Sequence, residues 1–261
     1  MGSLSKGFSS TLGKKLIMGL TGLFLSLFLV IHLIGNLQLF NDDGGKAFNE
    51  YSYFMTHFLP IKIVSYVLYL SIILHAVYAV IITMRNKKAR SVEYAQVNGA
   101  ANSTWSSRNM GILGTVILVF IVIHMKTFWA EYHWGGLPYV QYEMSLQNPE
   151  VVRVTQLPFD GNPLVHTKFV DVQNQTEVVV AKDLYFVVQQ AFQQEWYVIL
   201  YVISMIVLGF HLYHGFQSGF QTLGFDHVKY KPIIDFVGLW VFSIIIPAVF
   251  ALMPIYMYFA H

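Results

Sequence analysis

The sequence predicts an all-α membrane protein of five transmembrane helices, four of them forming a histidine-bearing bundle, with one long outer loop. Three observations carry this. First, 55% of the 261 residues are hydrophobic and 11% charged, whereas a soluble domain carries about 25% charged residues. Second, five apolar runs reach the ~20 residues that a spanning helix needs. Third, the basic residues gather in alternate connections. No cysteine is present, which excludes disulfides, cysteine-held iron–sulfur clusters and thiol chemistry. The formal charge of +2 is too small to suggest a nucleic-acid partner.

The spans follow in order. Span one, residues 16–40, is uncharged between Lys15 and Asp42. The run is too long for a signal-peptide core and no small-residue cleavage site closes it, so it reads as a retained helix. Span two, 63–84, lies between Lys62 and Arg85. Span three, 109–129, contains Lys126 near its outer end, where the side chain can snorkel to the interface. Span four covers 196–225 and span five 236–258, with Pro247 and Pro254 as kink candidates. The whole chain, 1–261, reads as one transmembrane domain.

The connections set the direction. The N-terminal tail, the loop after span two and the loop after span four hold ten basic and three acidic residues. The opposite side holds six basic and eleven acidic residues. The positive-inside rule then puts the N-terminus in the cytoplasm and the C-terminus outside. The outer loop, 131–195, has turn signals at Gly135-Gly136, Asn148-Pro149 and Gly161-Asn162-Pro163. Its stretch "TEVVVAKDLYFVV" is β-prone. A small ordered cap is expected there rather than a separate binding domain.

Five of the ten histidines lie inside spans: His32, His75, His124, His211 and His214. At a rise of ~1.5 Å per residue, the 17 residues from Lys15 to His32 span ~25 Å. The 16 residues from Arg108 to His124 span ~24 Å. Both therefore lie towards the outer side. His75 is 10 residues from Arg85, ~15 Å from the inner surface. His211 and His214 fall 15 and 18 residues past Trp196, also in the inner half. The histidines thus sort into an outer pair, His32 with His124, and an inner pair of His75 with His211 or His214.

One imidazole from each of two helices, at two depths, is the ligand pattern of two bis-histidine haem b groups. Small residues beside the histidines leave room for a flat macrocycle: Gly35 near His32, Ala79 near His75 and Gly215 near His211. Gly19, Gly22, Gly111 and Gly114 give further close-approach surface. A single intramembrane histidine is as readily a helix–helix hydrogen-bond partner; four helices with histidines at two matched depths are harder to explain so. A zinc site lacks its usual cysteine and carboxylate ligands.

With those residues placed, the chain resembles the single-polypeptide, five-helix dihaem cytochrome b subunit of succinate dehydrogenase and quinol:fumarate reductase, of the b558 type of Bacteroidetes-like bacteria. The matching pieces are "GLTGLFLSLFLVIHLIGNLQLF" with His32, "IILHAVYAV" with His75, "VIHMKTFW" with His124 and "GFHLYHGFQSGFQTLG" with His211. The resemblance covers all five spans and not the long loop. It implies a subunit of the bacterial cytoplasmic membrane, anchoring a flavoprotein and an iron–sulfur protein on its cytoplasmic face. It also implies electron transfer to or from menaquinone through two haem b groups. The haem nearer the iron–sulfur protein would use the second and fourth helices, the farther one the first and third.

In the family a ligand histidine is followed four residues on by glycine in span four, which selects His211, with Gly215, over His214. His214 is left to a propionate contact or a proton path. The quinone-site carboxylate implied at the outer end of the second helix falls on Glu50, which reads equally as a solvated loop residue. Arg85, Lys87 and Arg108 inside, and Gln38, Trp129 and Tyr132 outside, are candidate propionate contacts or simple interfacial anchors. Some relatives carry a glutamate beside the span-four ligand for proton transfer. Here Phe210 and Leu212 stand there, so that path is not expected. Two other readings compete: a dihaem subunit of another respiratory enzyme, and a non-haem transporter with structural histidines.

Overall fold

A computed structural model describes residues 10–88, 103–148, 151–161 and 164–260. The tail with Lys6, the loop residues Arg90 and Glu93, and His261 lie outside the described residues. Five helices are long and apolar enough to cross a membrane: Thr11–Phe40, Leu59–Lys88, Trp105–Trp134, Glu195–Thr222 and Lys231–Phe259. Their large apolar side chains point outward, among them Leu27, Ile73, Val122 and Ile206, each more than half exposed. That is the surface lipid would cover, and the reverse of a soluble bundle.

Helix ends depart from the expected bounds for local reasons. Helix α1 (Thr11–Asn36) starts early because Ser10 Oγ accepts the Gly13 N–H at 3.0 Å. A free first-turn donor is thereby satisfied. A 3₁₀ turn, Leu37–Phe40, ends it. Helix α2 (Lys46–His57) is separate from helix α3 (Leu59–Lys88). Pro60 sits in the first turn of α3, where its missing N–H is harmless. Helix α4 (Trp105–His124) passes into a π segment, Met125–Ala130, and a last turn, Glu131–Trp134.

The four strands of the outer loop are β1 (Tyr139–Ser145), β2 (Val151–Leu157), β3 (Thr167–Asp171) and β4 (Thr176–Lys182). They are followed by helices α5 (Leu184–Phe192) and α6 (Glu195–Thr222). Helix α6 stops three residues short of the expected Phe225. Gly224 adopts φ +82° and the Phe225 N–H reaches back to the Phe220 carbonyl at 3.0 Å, the glycine-terminated helix end. Helix α7 (Lys231–Phe236), a π segment (Val237–Ile245) and helix α8 (Ile246–Phe259) complete the chain.

The described residues form two compact units, one within 10–31, 64–88, 103–120 and 200–252, the other within 32–63, 121–148, 151–161, 164–199 and 253–260. In the first unit, Pro247 cannot give the Ser243 carbonyl the N–H that an α-helix would supply. A Cβ on Gly209 would lie 2.6 Å from that carbonyl oxygen. The glycine lets α6 approach the irregular turn of the last span.

The second unit holds an antiparallel sheet in the order β2-β1-β4-β3. Val140, Tyr142, Met144 and Val179 pack on one face, and Tyr139, Val178, Val180 and Leu157 on the other. Central strand β4 is covered on both sides, which is why it reads as a continuous apolar run rather than an alternation. The β-prone stretch "TEVVVAKDLYFVV" is strand only through Lys182. Asp183 then caps α5, its Oδ1 accepting the Phe186 N–H at 3.0 Å. The sheet is pinned to α2 by buried Asn49, which donates to Tyr142 Oη at 2.9 Å and to Asp183 Oδ1 at 3.0 Å, and accepts from the Tyr185 N–H at 2.9 Å.

Candidate functional site: two pairs of helix histidines

The first unit brings His75 of α3 to His211 of α6, with ring centroids 6.3 Å apart and planes at 63°. Two imidazoles on opposite sides of one metal, each bonded at ~2 Å, place their centroids roughly 6 Å apart. Glycines from two further helices stand beside the rings. A Cβ on Gly22 of α1 would come within 3.3 Å of His75 Cε1, and one on Gly114 of α4 within 3.6 Å of His211 Cε1. Thr21 Oγ1 lies 3.0 Å from His75 Nδ1. His211 Nδ1 is buried and has no hydrogen-bond partner among the described residues. A buried nitrogen of this kind calls for an explanation in a ligand or an ordered water. His214 is half-buried one turn along α6. The ring that meets His75 is His211's.

The second unit brings His32 of α1 to His124 of α4, with centroids 5.7 Å apart and planes at 85°. Asn36 Nδ2 donates to the His32 carbonyl at 2.7 Å and stands 3.5 Å from His32 Nδ1. The π segment begins at the residue after His124. A wide turn of this kind re-aims the side chains that follow it. Phe128 meets His124 edge-on, with ring centroids 5.3 Å apart, and also meets Phe192 and Tyr197. Gly35 sits against the Tyr51 ring, where a Cβ would collide with it, so in this structure its small size serves Tyr51.

The donor set fits a macrocycle better than a bare ion. Among the described residues no group of three or more histidine or acidic side chains could hold a metal ion. A haem carries its own four equatorial nitrogens and asks the protein only for two axial ligands, which each pair could give.

The remaining candidates fall elsewhere. Glu50 is not in a loop. It lies on α2, half-buried and bonded to Lys46 Nζ at 2.6 Å. Its charge also reaches His166, whose imidazole burial holds below its ordinary pKa while Glu50 works the other way. His166 stacks on Tyr53 at 3.8 Å, and Tyr53 on His57 at 4.0 Å. Arg85 is exposed in the last turn of α3 with Lys87. Arg108 is spent at least partly on its own helix start, donating to the Ser103 carbonyl.

Among the outer candidates, Gln38 accepts from Asn41 at 2.8 Å. Trp129 packs on His133. Buried Tyr132 receives Lys182 on its carbonyl at 2.9 Å. Sequence reading missed Thr21, because a threonine in an apolar run declares nothing until its partner helix is placed. It missed the sheet's contact with α2 for the same reason.

No family profile, curated protein or solved structure matches the chain.

Proposed function

We propose that the chain is the membrane-anchor dihaem cytochrome b subunit of a succinate:menaquinone oxidoreductase or quinol:fumarate reductase. The observation that carries this reading is the pairing of four intramembrane histidines, one from each of four helices, at separations suited to two axial positions each. When bound, two haem b groups would supply one-electron carriers between a cytoplasmic flavoprotein and iron–sulfur pair and the quinone of the bilayer. His75 and His211 would hold one group, His32 and His124 the other. Gly22 and Gly114 keep the space beside the first pair open. The charge asymmetry of the connections supports a cytoplasmic N-terminus, and the resemblance supports a bacterial cytoplasmic membrane. Glu50 is the quinone-site carboxylate of this reading, its charge held by Lys46.

The test is a reduced-minus-oxidised spectrum with pyridine haemochrome quantitation on protein purified from its native membrane. Two b haems per chain, with co-purifying flavin and succinate-dependent haem reduction, are expected. Two haems without flavin or succinate response would favour another respiratory enzyme. No haem would end the reading in favour of a transporter.

A further inference from the structure

Resting on the dihaem reading, we infer that Thr21 is the positioning residue that fixes the tautomer and donor strength of His75. The inference starts from hydrogen counting. A threonine hydroxyl has one hydrogen to give and two lone pairs. Thr21 Oγ1 lies 2.7 Å from the Ile17 carbonyl oxygen and 3.3 Å from that of Met18. Carbonyls only accept, so the hydroxyl hydrogen is committed to its own helix. The same oxygen lies 3.0 Å from His75 Nδ1. With its hydrogen directed elsewhere, it faces His75 as an acceptor. Nδ1 must then carry the imidazole's hydrogen.

A neutral imidazole has a single N–H, so Nε2 is left with its lone pair. That is the form a metal-binding histidine needs, and a hydrogen bond from the far nitrogen is the usual means of fixing it. Thr21 is 9% exposed, so water does not compete easily for the contact. The neighbouring helix position, Gly22, places no Cβ against the ring. Helix α1 thus orients a ligand of α3. His211, across the pair, has no such anchor on Nδ1 among the described residues. Among the described residues the two ligands of this site are thus held differently: His75 has a side-chain oxygen on Nδ1 and His211 has none. A more basic axial ligand favours the ferric state and lowers the potential.

The experiment compares wild type, Thr21→Val and Thr21→Ser, each purified as the whole complex, by potentiometric titration of both b haems and by low-spin ferric electron paramagnetic resonance. Valine keeps the shape and removes the acceptor; serine restores it without the methyl group. Thr21→Val is expected to weaken the ferric preference of one haem about threefold, which raises its midpoint by ~28 mV at about 59 mV per tenfold. Its resonance should shift, and the other haem should not change. Loss of that haem alone in Thr21→Val, with both retained in Thr21→Ser, supports the inference equally.

Thr21→Ser should match wild type. Wild-type potentials and spectra in Thr21→Val, or the same displacement in Thr21→Ser, would overturn the role given to the hydroxyl while leaving the dihaem reading intact. A wild-type protein without b haem removes the reading itself and is seen before any variant is made.

Discussion

Replacing Asn49 with leucine should open the sheet of the outer loop. Asn49 is 1% exposed and joins α2 to β1 and to the start of α5 through three hydrogen bonds. Leucine matches its size and makes none of them. Tyr142 would keep the Gly44 carbonyl at 3.3 Å as an acceptor. Asp183 would keep Phe186 N–H and Gln156 Nε2. The Tyr185 N–H would lose the Asn49 Oδ1 that it now uses. Removing the acceptor of a part-buried amide costs about 1–3 kcal/mol, and a lost bond to a carboxylate about 1.5–3 kcal/mol. Added apolar burial returns roughly 1 kcal/mol. The net is about 3–4 kcal/mol, or roughly two to three decades in the local opening constant. Hydrogen exchange on the full chain in detergent would read this. Amides of β1 and β4 should exchange about 10²–10³ times faster, with the amides of α6 unchanged. Acceleration below about tenfold, or equal acceleration in α6, would refute the pinning role given to Asn49.

Three further outcomes are expected. His75→Ala or His211→Ala should each remove one b haem and leave the other, His32→Ala or His124→Ala should do the converse, and His214→Ala should leave two, all read by haemochrome content. Gly22→Val should displace His75, since its Cβ alone would lie 3.3 Å from Cε1; overpacking of about 1–3 kcal/mol should then empty that site selectively. For pH, burial lowers the His166 pKa, so the fold favours its neutral form. That contribution is present above the ordinary value of about 6.5 and is lost as pH falls through and below it. Glu50→Gln removes the charge that opposes the shift, and histidine NMR should show His166 titrating lower still.

The spans and the pairing of histidines were legible because each depends on long-range averages. Hydropathy over ~20 residues and a rise of ~1.5 Å per residue tolerate errors of a few positions. The sheet was half legible. Strand β4 is covered on both faces, so it lacks alternation, while β1 alternates only from Val140 to Ser145. The strand-to-helix change at Asp183 turns on one capping bond. Glu50 stays open in the sequence between a quinone-site carboxylate and a solvated loop residue, because α2 is short and amphipathic, and its i,i+4 salt bridge to Lys46 is visible only once the helix is formed. The choice between His211 and His214 turns on helix rotation, which depth does not report.

The π segment after His124 has a consequence for chain length. A π turn holds one residue more than the α turn it replaces. Removing a single residue between Met125 and Ala130 would let the segment close as α-helix while the turns on either side keep their bearing, because the wide turn already absorbs that residue. His124 would stay where it is and Tyr132 would keep its register with Lys182, so only side chains inside the segment, Phe128 against Phe192 and Tyr197 among them, would be re-aimed. A deletion in the wide turn is therefore a local event, whereas one in the regular turns before it would rotate all that follows by ~100° and uncouple this helix from the sheet.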